Sequence, residues 1–163
     1  MSLHGVLPIL PTPFTSNGAV DGASMRRLID FELEVGVVIG RDSERGKPIA
    51  MAEADSYIEG LVLVNDWSAR DIQAWEYVPL GPFLGKNFAT TVGDTVVPLN
   101  ALEPFRIEGP VQDPQPLPYL RHIGPSHFGI TLEAWLETND GTRTLLTRSN
   151  HKHLYWNIRQ QRV

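Results

Sequence analysis

The sequence predicts a mainly β fold of the α+β class, with mixed sheets preceded by one N-terminal helix. Three observations carry this. Apolar and β-branched residues alternate in several short runs, proline and glycine cluster between residues 79 and 125, and Asn139-Asp140-Gly141 separates two such runs as a hairpin turn. With 13 prolines and 14 glycines in 163 residues, short strands and ordered loops are favoured over long helices.

Taken in order, residues 3 to 13 form an apolar, extended stretch that ends at Thr12-Pro13-Phe14, and Ser16-Asn17-Gly18 makes a turn. From Asp21, a suitable N-cap, Met25, Leu28, Ile29 and one step further Leu33 fall at helical spacing. The pattern then changes. Glu32 to Gly40 alternates and closes on glycine, as a strand does; Leu61 to Val64 and Thr95 to Pro98 are further strands. Gly109 to Pro118 carries too much proline for either regular element and is expected to be an ordered loop. Residues 128 to 136 alternate again, Thr142 to Thr147 return as their partner, and His151 to Gln161 suits a helix.

Composition narrows the chemistry. A formal charge of −5, with basic residues scattered apart from Arg26 and Arg27, argues against a nucleic-acid partner. No run approaches the roughly 18 to 20 apolar residues of a membrane span, and Pro8, Pro11 and Pro13 interrupt the one apolar stretch that a leader would need. Cysteine is absent, so disulfides, thiolate ligands and a cysteine nucleophile are excluded, which suits a reducing cytoplasm. Any metal must therefore be held by oxygen or imidazole.

Glu32 and Glu34 are the residues on which a metal site turns. On a strand, positions i and i+2 share a face about 6.5 to 7 Å apart, and both carboxylates reach one hard cation. On a helix they diverge by about 200°. If the N-terminal helix runs through Glu34 the pair is solvated surface; if it stops near Asp30 a site forms.

Two resemblances bear on this. The opening run Gly5-Val6-Leu7-Pro8 through Thr12-Pro13-Phe14 to Leu28-Ile29-Asp30-Phe31 resembles the first strand and helix of the dihydrodipicolinate synthase and N-acetylneuraminate lyase family. That likeness stops after about a fifth of the chain. The substrate loop, tyrosine and Schiff-base lysine of that family have no counterpart, and the lysines here are only Lys47, Lys86 and Lys152, which leaves imine chemistry without its nucleophile. From about Phe31 to Gln161 the chain resembles the fumarylacetoacetase family, on the run Asn65-Asp66-Trp67-Ser68-Ala69-Arg70-Asp71-Ile72-Gln73 followed by Trp75-Glu76-Tyr77-Val78-Pro79-Leu80-Gly81-Pro82-Phe83-Leu84-Gly85-Lys86. Related acylpyruvate hydrolases and decarboxylases share the Asn-Asp and Ser-Ala-Arg-Asp kernel, whereas the second run is closer to fumarylacetoacetase.

The second resemblance implies a mixed β-roll of the fumarylacetoacetase C-terminal domain type over residues 31–163, incomplete, with residues 1–30 as a strand-helix appendage. It implies that Glu32, Glu34 and Asp66 are three of four carboxylate ligands to Ca²⁺ or Mg²⁺, with Lys86 and Thr90 near a second cation. Arg70, Gln73 and Lys86 correspond to catalytic polar groups around the substrate oxygens, and Gln73 and Tyr77 to substrate contacts. The implied reaction hydrolyses a carbon-carbon bond in a 1,3-diketo acid, giving fumarate and acetoacetate in tyrosine and phenylalanine catabolism, by a cytoplasmic homodimer.

Departures qualify these expectations. The fourth carboxylate and the histidine that activates water lie upstream of Glu32 in the family, where this chain has only the lyase-like stretch, and His4 lacks a matching context. The family also continues past Gln161, and Gly93-Asp94-Thr95 replaces its Ser-Pro-Trp. His151 and His153, two apart, share a face only on a strand and are read as structural or solvent-facing; His122 and His127 carry no spacing signal. Besides the hydrolase, the sequence allows a catalytically incomplete cation-binding fragment or fusion and, third, a pyruvate-type lyase.

Overall fold

In the computed structural model, residues 2–3 and 30–162 are described. The helix expected from Asp21 and most of the strand expected from residue 3 lie outside them. The described residues are mainly strands with a few short helices. Strand β1 (Ser2–Leu3) pairs parallel with β8 (Thr131–Glu137), which pairs antiparallel with β9 (Arg143–Asn150), so this sheet is mixed. A second sheet is built from β2 (Leu33–Ile39), β3 (Ile58–Asp66) and β4 (Thr90–Val92), with the short β5 (Val97–Pro98) also on β3. Strands β6 (Arg106–Ile107) and β7 (His127–Phe128) form a two-residue pair. The sheets are open.

Alternation explains why β2 is a strand and which way it faces. Leu33, Val35 and Val37 pack against a buried cluster of Ile58, Leu61, Leu102, Phe128, Ile130, Leu132 and Ile158, while Glu34 is exposed. The two-residue period puts Leu33, Val35 and Val37 on one face and Glu34 on the other. The cluster joins both larger sheets to the terminal helix, so it is the seam on which the domain closes.

The expected hairpin is present. Gly141 adopts φ +81°, a left-handed conformation open to glycine, and Asp140 accepts from the Thr142 N–H at 3.0 Å and from the Thr138 hydroxyl. These bonds hold the Asp140 carboxyl down at about 2. The proline-rich loop is ordered through Gln112, whose amide donates to the Tyr155 carbonyl at 2.8 Å and to Gln160 Oε1 at 3.0 Å.

The structure departs from expectation in three places. Residues 128 to 136 are not one strand: His127–Phe128 pairs with β6 before Thr131 joins β9. Helix α1 (Arg70–Glu76) follows β3 where no helix was expected; α2 (Leu99–Leu102) is a single turn. The segment after β9 is not one helix either. A 3-10 turn at His151–His153 is capped by the Asn150 side chain, and α3 (Ile158–Arg162) starts only after a break. The Asn157 and Gln160 side chains each accept from the other's backbone N–H, at 2.9 and 3.1 Å, which fixes where the helix restarts. Arg159 then forms a bidentate pair with Asp55, at 2.8 and 2.6 Å, anchoring α3 to the 3-10 turn at Met51–Tyr57.

His151 is 2% exposed, and its Nδ1 has no hydrogen-bond partner. Burial, reinforced by the nearby His127, pushes its pKa down to about 4. Its neutral form is thus the one that folds, and the unfolded chain binds the proton more readily between about pH 6.5 and 4. Stability is expected to be intact above pH 6.5 and to fall by about 3 kcal/mol as pH drops to 4, a loss that His151→Phe removes. Urea titrations of both proteins across this range check it; parallel pH profiles would contradict it.

Candidate metal centre

The site is set by the register of β2 on β3. Leu33 lies opposite Asn65 and Glu34 opposite Val64, while Asp66 lies opposite Thr90 of β4. Cross-strand neighbours point to the same side, as do residues two apart on a strand. Glu34, Val64, Asp66 and Thr90 therefore share the outer face, away from Leu33 and Val35. Glu32 precedes the first residue of β2 on non-helical backbone, and its N–H donates to Asn65 Oδ1 at 3.1 Å. Of the two outcomes open to Glu32 and Glu34, the extended one is found. A two-residue antiparallel bridge, Asp30 to Ser68 with bonds of 2.8 and 3.0 Å, closes this end of the strand pair.

One carboxylate oxygen from each of Glu32, Glu34 and Asp66 lies within 4.8 Å of those of the other two. Two oxygens held at about 2.3–2.6 Å by one Ca²⁺ are at most about 5 Å apart. The spacing thus fits a common ion, and three carboxylates suit a hard cation. The charge balance agrees. Burial and repulsion by Asp66 and Glu32 raise the Glu34 carboxyl above its ordinary value. Glu32 behaves oppositely: burial acts to raise it, but the Lys86 ammonium and Arg70 outweigh burial and hold it below the usual range.

The cationic groups converge on the same corner. Lys86 Nζ lies 2.7 Å from Glu32 Oε2 and 3.2 Å from Asp66 Oδ2, and Arg70 Nη1 lies 2.7 Å from Glu32 Oε1. Arg70 also holds Asp30 at 2.9 Å and Gln73 Oε1 at 3.0 Å. Arg70 and Gln73 sit three apart on α1, where side chains meet along one face. Glu32, Glu34, Asp66, Arg70, Gln73 and Lys86 are thereby brought together, with Thr90 one strand over. Tyr77 stands apart: it ends α1, is 63% exposed, and makes no contact with the carboxylates among those resolved. Below the site a cleft of about 630 Å³ runs along β2, lined by Glu32, Glu34, Leu132, His151, Leu154 and Ile158 among others.

Four supporting residues carried no assigned role in the sequence. Asp30, Asn65 and Ser68 orient Glu32 and the strand end, and Trp67 Nε1 donates to the Thr91 hydroxyl at 2.9 Å, locking β3 to β4 beside Asp66. Asn65, Trp67 and Ser68 lay within the run that carries the resemblance, whereas Asp30 offered no signal.

Fold and geometry define a cluster of three carboxylates with the spacing to hold one metal ion, carried on an open antiparallel sheet and flanked by two cationic side chains. Residues 12–161 match the family described as fumarylacetoacetate (FAA) hydrolase C-terminal, and the chain belongs to that family. It is 51% identical over 150 residues to the fumarylacetoacetase of Rattus norvegicus, covering 91% of this chain and 35% of the relative. It is 53% identical over 134 residues to that of Arabidopsis thaliana, covering 82% and 32%. The chain thus spans about a third of these relatives. The solved structure of Cg1458 shares the fold, with a TM-score of 0.57 at 18% identity over 82% of this chain and 41% of that one.

Asn65 is 1% exposed and its carbonyl orients Glu32. Asn65→Ala is expected to cost about 1–3 kcal/mol, the usual penalty for stranding a buried hydrogen-bonding group. Calorimetry should also show weaker Ca²⁺ binding. A stable variant with unchanged affinity would remove Asn65 from the site.

Proposed function

We propose that this chain carries the metal-binding core of a hydrolase that cleaves a carbon-carbon bond in a 1,3-diketo acid. Fumarylacetoacetate is the proposed substrate and fumarate and acetoacetate the products, in tyrosine and phenylalanine catabolism. The observation that supports it is the convergence of Glu32, Glu34 and Asp66 beside Arg70 and Lys86 in a member of this family. Ca²⁺ or Mg²⁺ is the proposed cation, held by the three carboxylates; when bound, it polarises the diketone oxygens.

The chain's own residues supply orientation and charge. In the overall reaction, hydroxide from water joins one carbonyl carbon, the bond to the neighbouring carbon breaks, and that carbon leaves as an enolate and takes up a proton. Negative charge grows on oxygen throughout. Arg70 and Lys86 are fixed positive groups placed to favour it, and fixed charges act without the reorganisation that water would need. Gln73, which accepts from Arg70, and Tyr77 are proposed substrate contacts, a role that rests on the resemblance. Thr90, across from Asp66, belongs with Lys86 to a second cation position.

The cytoplasmic location, the homodimer and the division into an appendage of residues 1–30 and a domain of residues 31–163 belong to the same proposal. The family match begins at residue 12, inside the first of these parts. Among the described residues no helix is long and apolar enough to cross a membrane. A second reading is cation binding at Glu32, Glu34 and Asp66 without turnover, for which the carboxylate cluster by itself suffices.

Assay of fumarylacetoacetate cleavage with Ca²⁺ or Mg²⁺ and with chelator separates the two readings: cation-dependent cleavage supports the hydrolase, and cation binding without cleavage supports the second. Glu32→Gln combined with Glu34→Gln is expected to abolish divalent-cation binding, because neutral amides lose the charge that holds a hard ion. Unchanged calcium affinity by calorimetry would defeat the metal assignment.

A further inference from the structure

Glu76 has no part in the chemistry above, yet its carboxylate accepts three backbone hydrogen bonds. It closes α1, and its oxygens accept from three consecutive backbone N–H groups: Phe83, Leu84 at 3.1 Å and Gly85 at 2.8 Å. A carboxylate gathering successive amides fixes the loop that presents them. The electrostatics agree: burial acts to raise the Glu76 carboxyl, and the three donors outweigh burial and hold it below the usual range.

What the loop carries is Lys86. The Lys86 N–H bonds the Phe83 carbonyl at 3.1 Å, and the Gly85 carbonyl accepts from Ala69 N–H at 2.8 Å, at the start of α1. Gly85 also lies so close to α1 that a Cβ there would meet Gln73 N at 2.7 Å. The loop is therefore clamped at both ends of one short helix, by Ala69 and by Glu76. Lys86 leaves the clamp with its Nζ between Glu32 and Asp66.

We infer that Glu76 is a positioning residue, which sets the reach of Lys86 into the carboxylate centre by holding residues 83–85 against α1. The inference rests on the role proposed above for Lys86. A carboxylate that merely stabilised the fold would leave the placement of Lys86 untouched when weakened. One that positions the lysine changes how shielded its amine is.

The test is competitive lysine labelling of the full chain with a limiting amine-acylating reagent, read residue by residue by mass spectrometry, with neither cation nor substrate present. The Lys86 side chain is 18% exposed and paired twice, whereas Lys47 is 69% exposed and serves as internal reference. Glu76→Gln keeps the shape but loses the charge and one acceptor oxygen, and is expected to raise the Lys86 to Lys47 labelling ratio several-fold. Glu76→Asp, which keeps the charge one methylene short, should give an intermediate ratio, and carries the test alone if the glutamine variant does not fold. A lowered melting temperature with the wild-type ratio would overturn the inference, as a purely structural role would. Because labelling needs no ion or turnover, failure of the hydrolase reading leaves this result standing.

Discussion

The pairing of β2 with β3 is the constraint from which the site follows. With Leu33 set opposite Asn65, the two-residue period of each strand sends Leu33, Val35 and Leu61 into the core and Glu34, Val64 and Asp66 to the outer face. A slip by one residue would put carboxylates in the core and leucines on the surface, so the energy of the core and the geometry of the site are one choice. The register is pinned at its site end by the Asp30–Ser68 bridge and the Asn65–Glu32 hydrogen bond.

The charge distribution at this corner works against stability in part. Three carboxylates within 4.8 Å repel one another, as the raised Glu34 carboxyl records, and a fold selected only to persist would separate them. Lys86 and Arg70 offset part of that repulsion while remaining on elements that hold them, one on a loop and one on a helix. Both pair with Glu32, which leaves Glu34 as the member whose charge is least compensated. The negative charge at this corner is thus unevenly balanced, with Glu32 paired twice and Glu34 facing repulsion from both other carboxylates.

Away from the site, the domain is tied by a few specific bonds more than by long elements. The bidentate Arg159–Asp55 pair fastens the short terminal helix, and Gln112 and Gln160 hold the proline-rich loop to it. These partners are 104 and 48 residues apart in the chain, and nothing in their local sequence announces them.

Strand β2, the hairpin at Asn139-Asp140-Gly141 and the ordered proline-rich loop were legible because each depends on local rules: the alternation period, the φ of glycine, and the missing N–H of proline. Asp66, Arg70, Gln73 and Lys86 stood out because they sit in one contiguous run, residues 65–86, whose resemblance is specific, and Glu32 and Glu34 because their i, i+2 spacing shares a face on a strand. Helix α1 was not, since its seven residues show no apolar stripe and its ends are set by Gly85 and Glu76. The break between His151 and Ile158 was hidden likewise, because the Asn157–Gln160 exchange and the Asp55 anchor fix it from outside. Sequence alone thus determined which residues alternate and which carry charge. Whether Glu32 and Glu34 met Asp66 or dispersed into solvent was decided by tertiary structure, because only the cross-strand register brings residues 32 and 66 within reach of one ion.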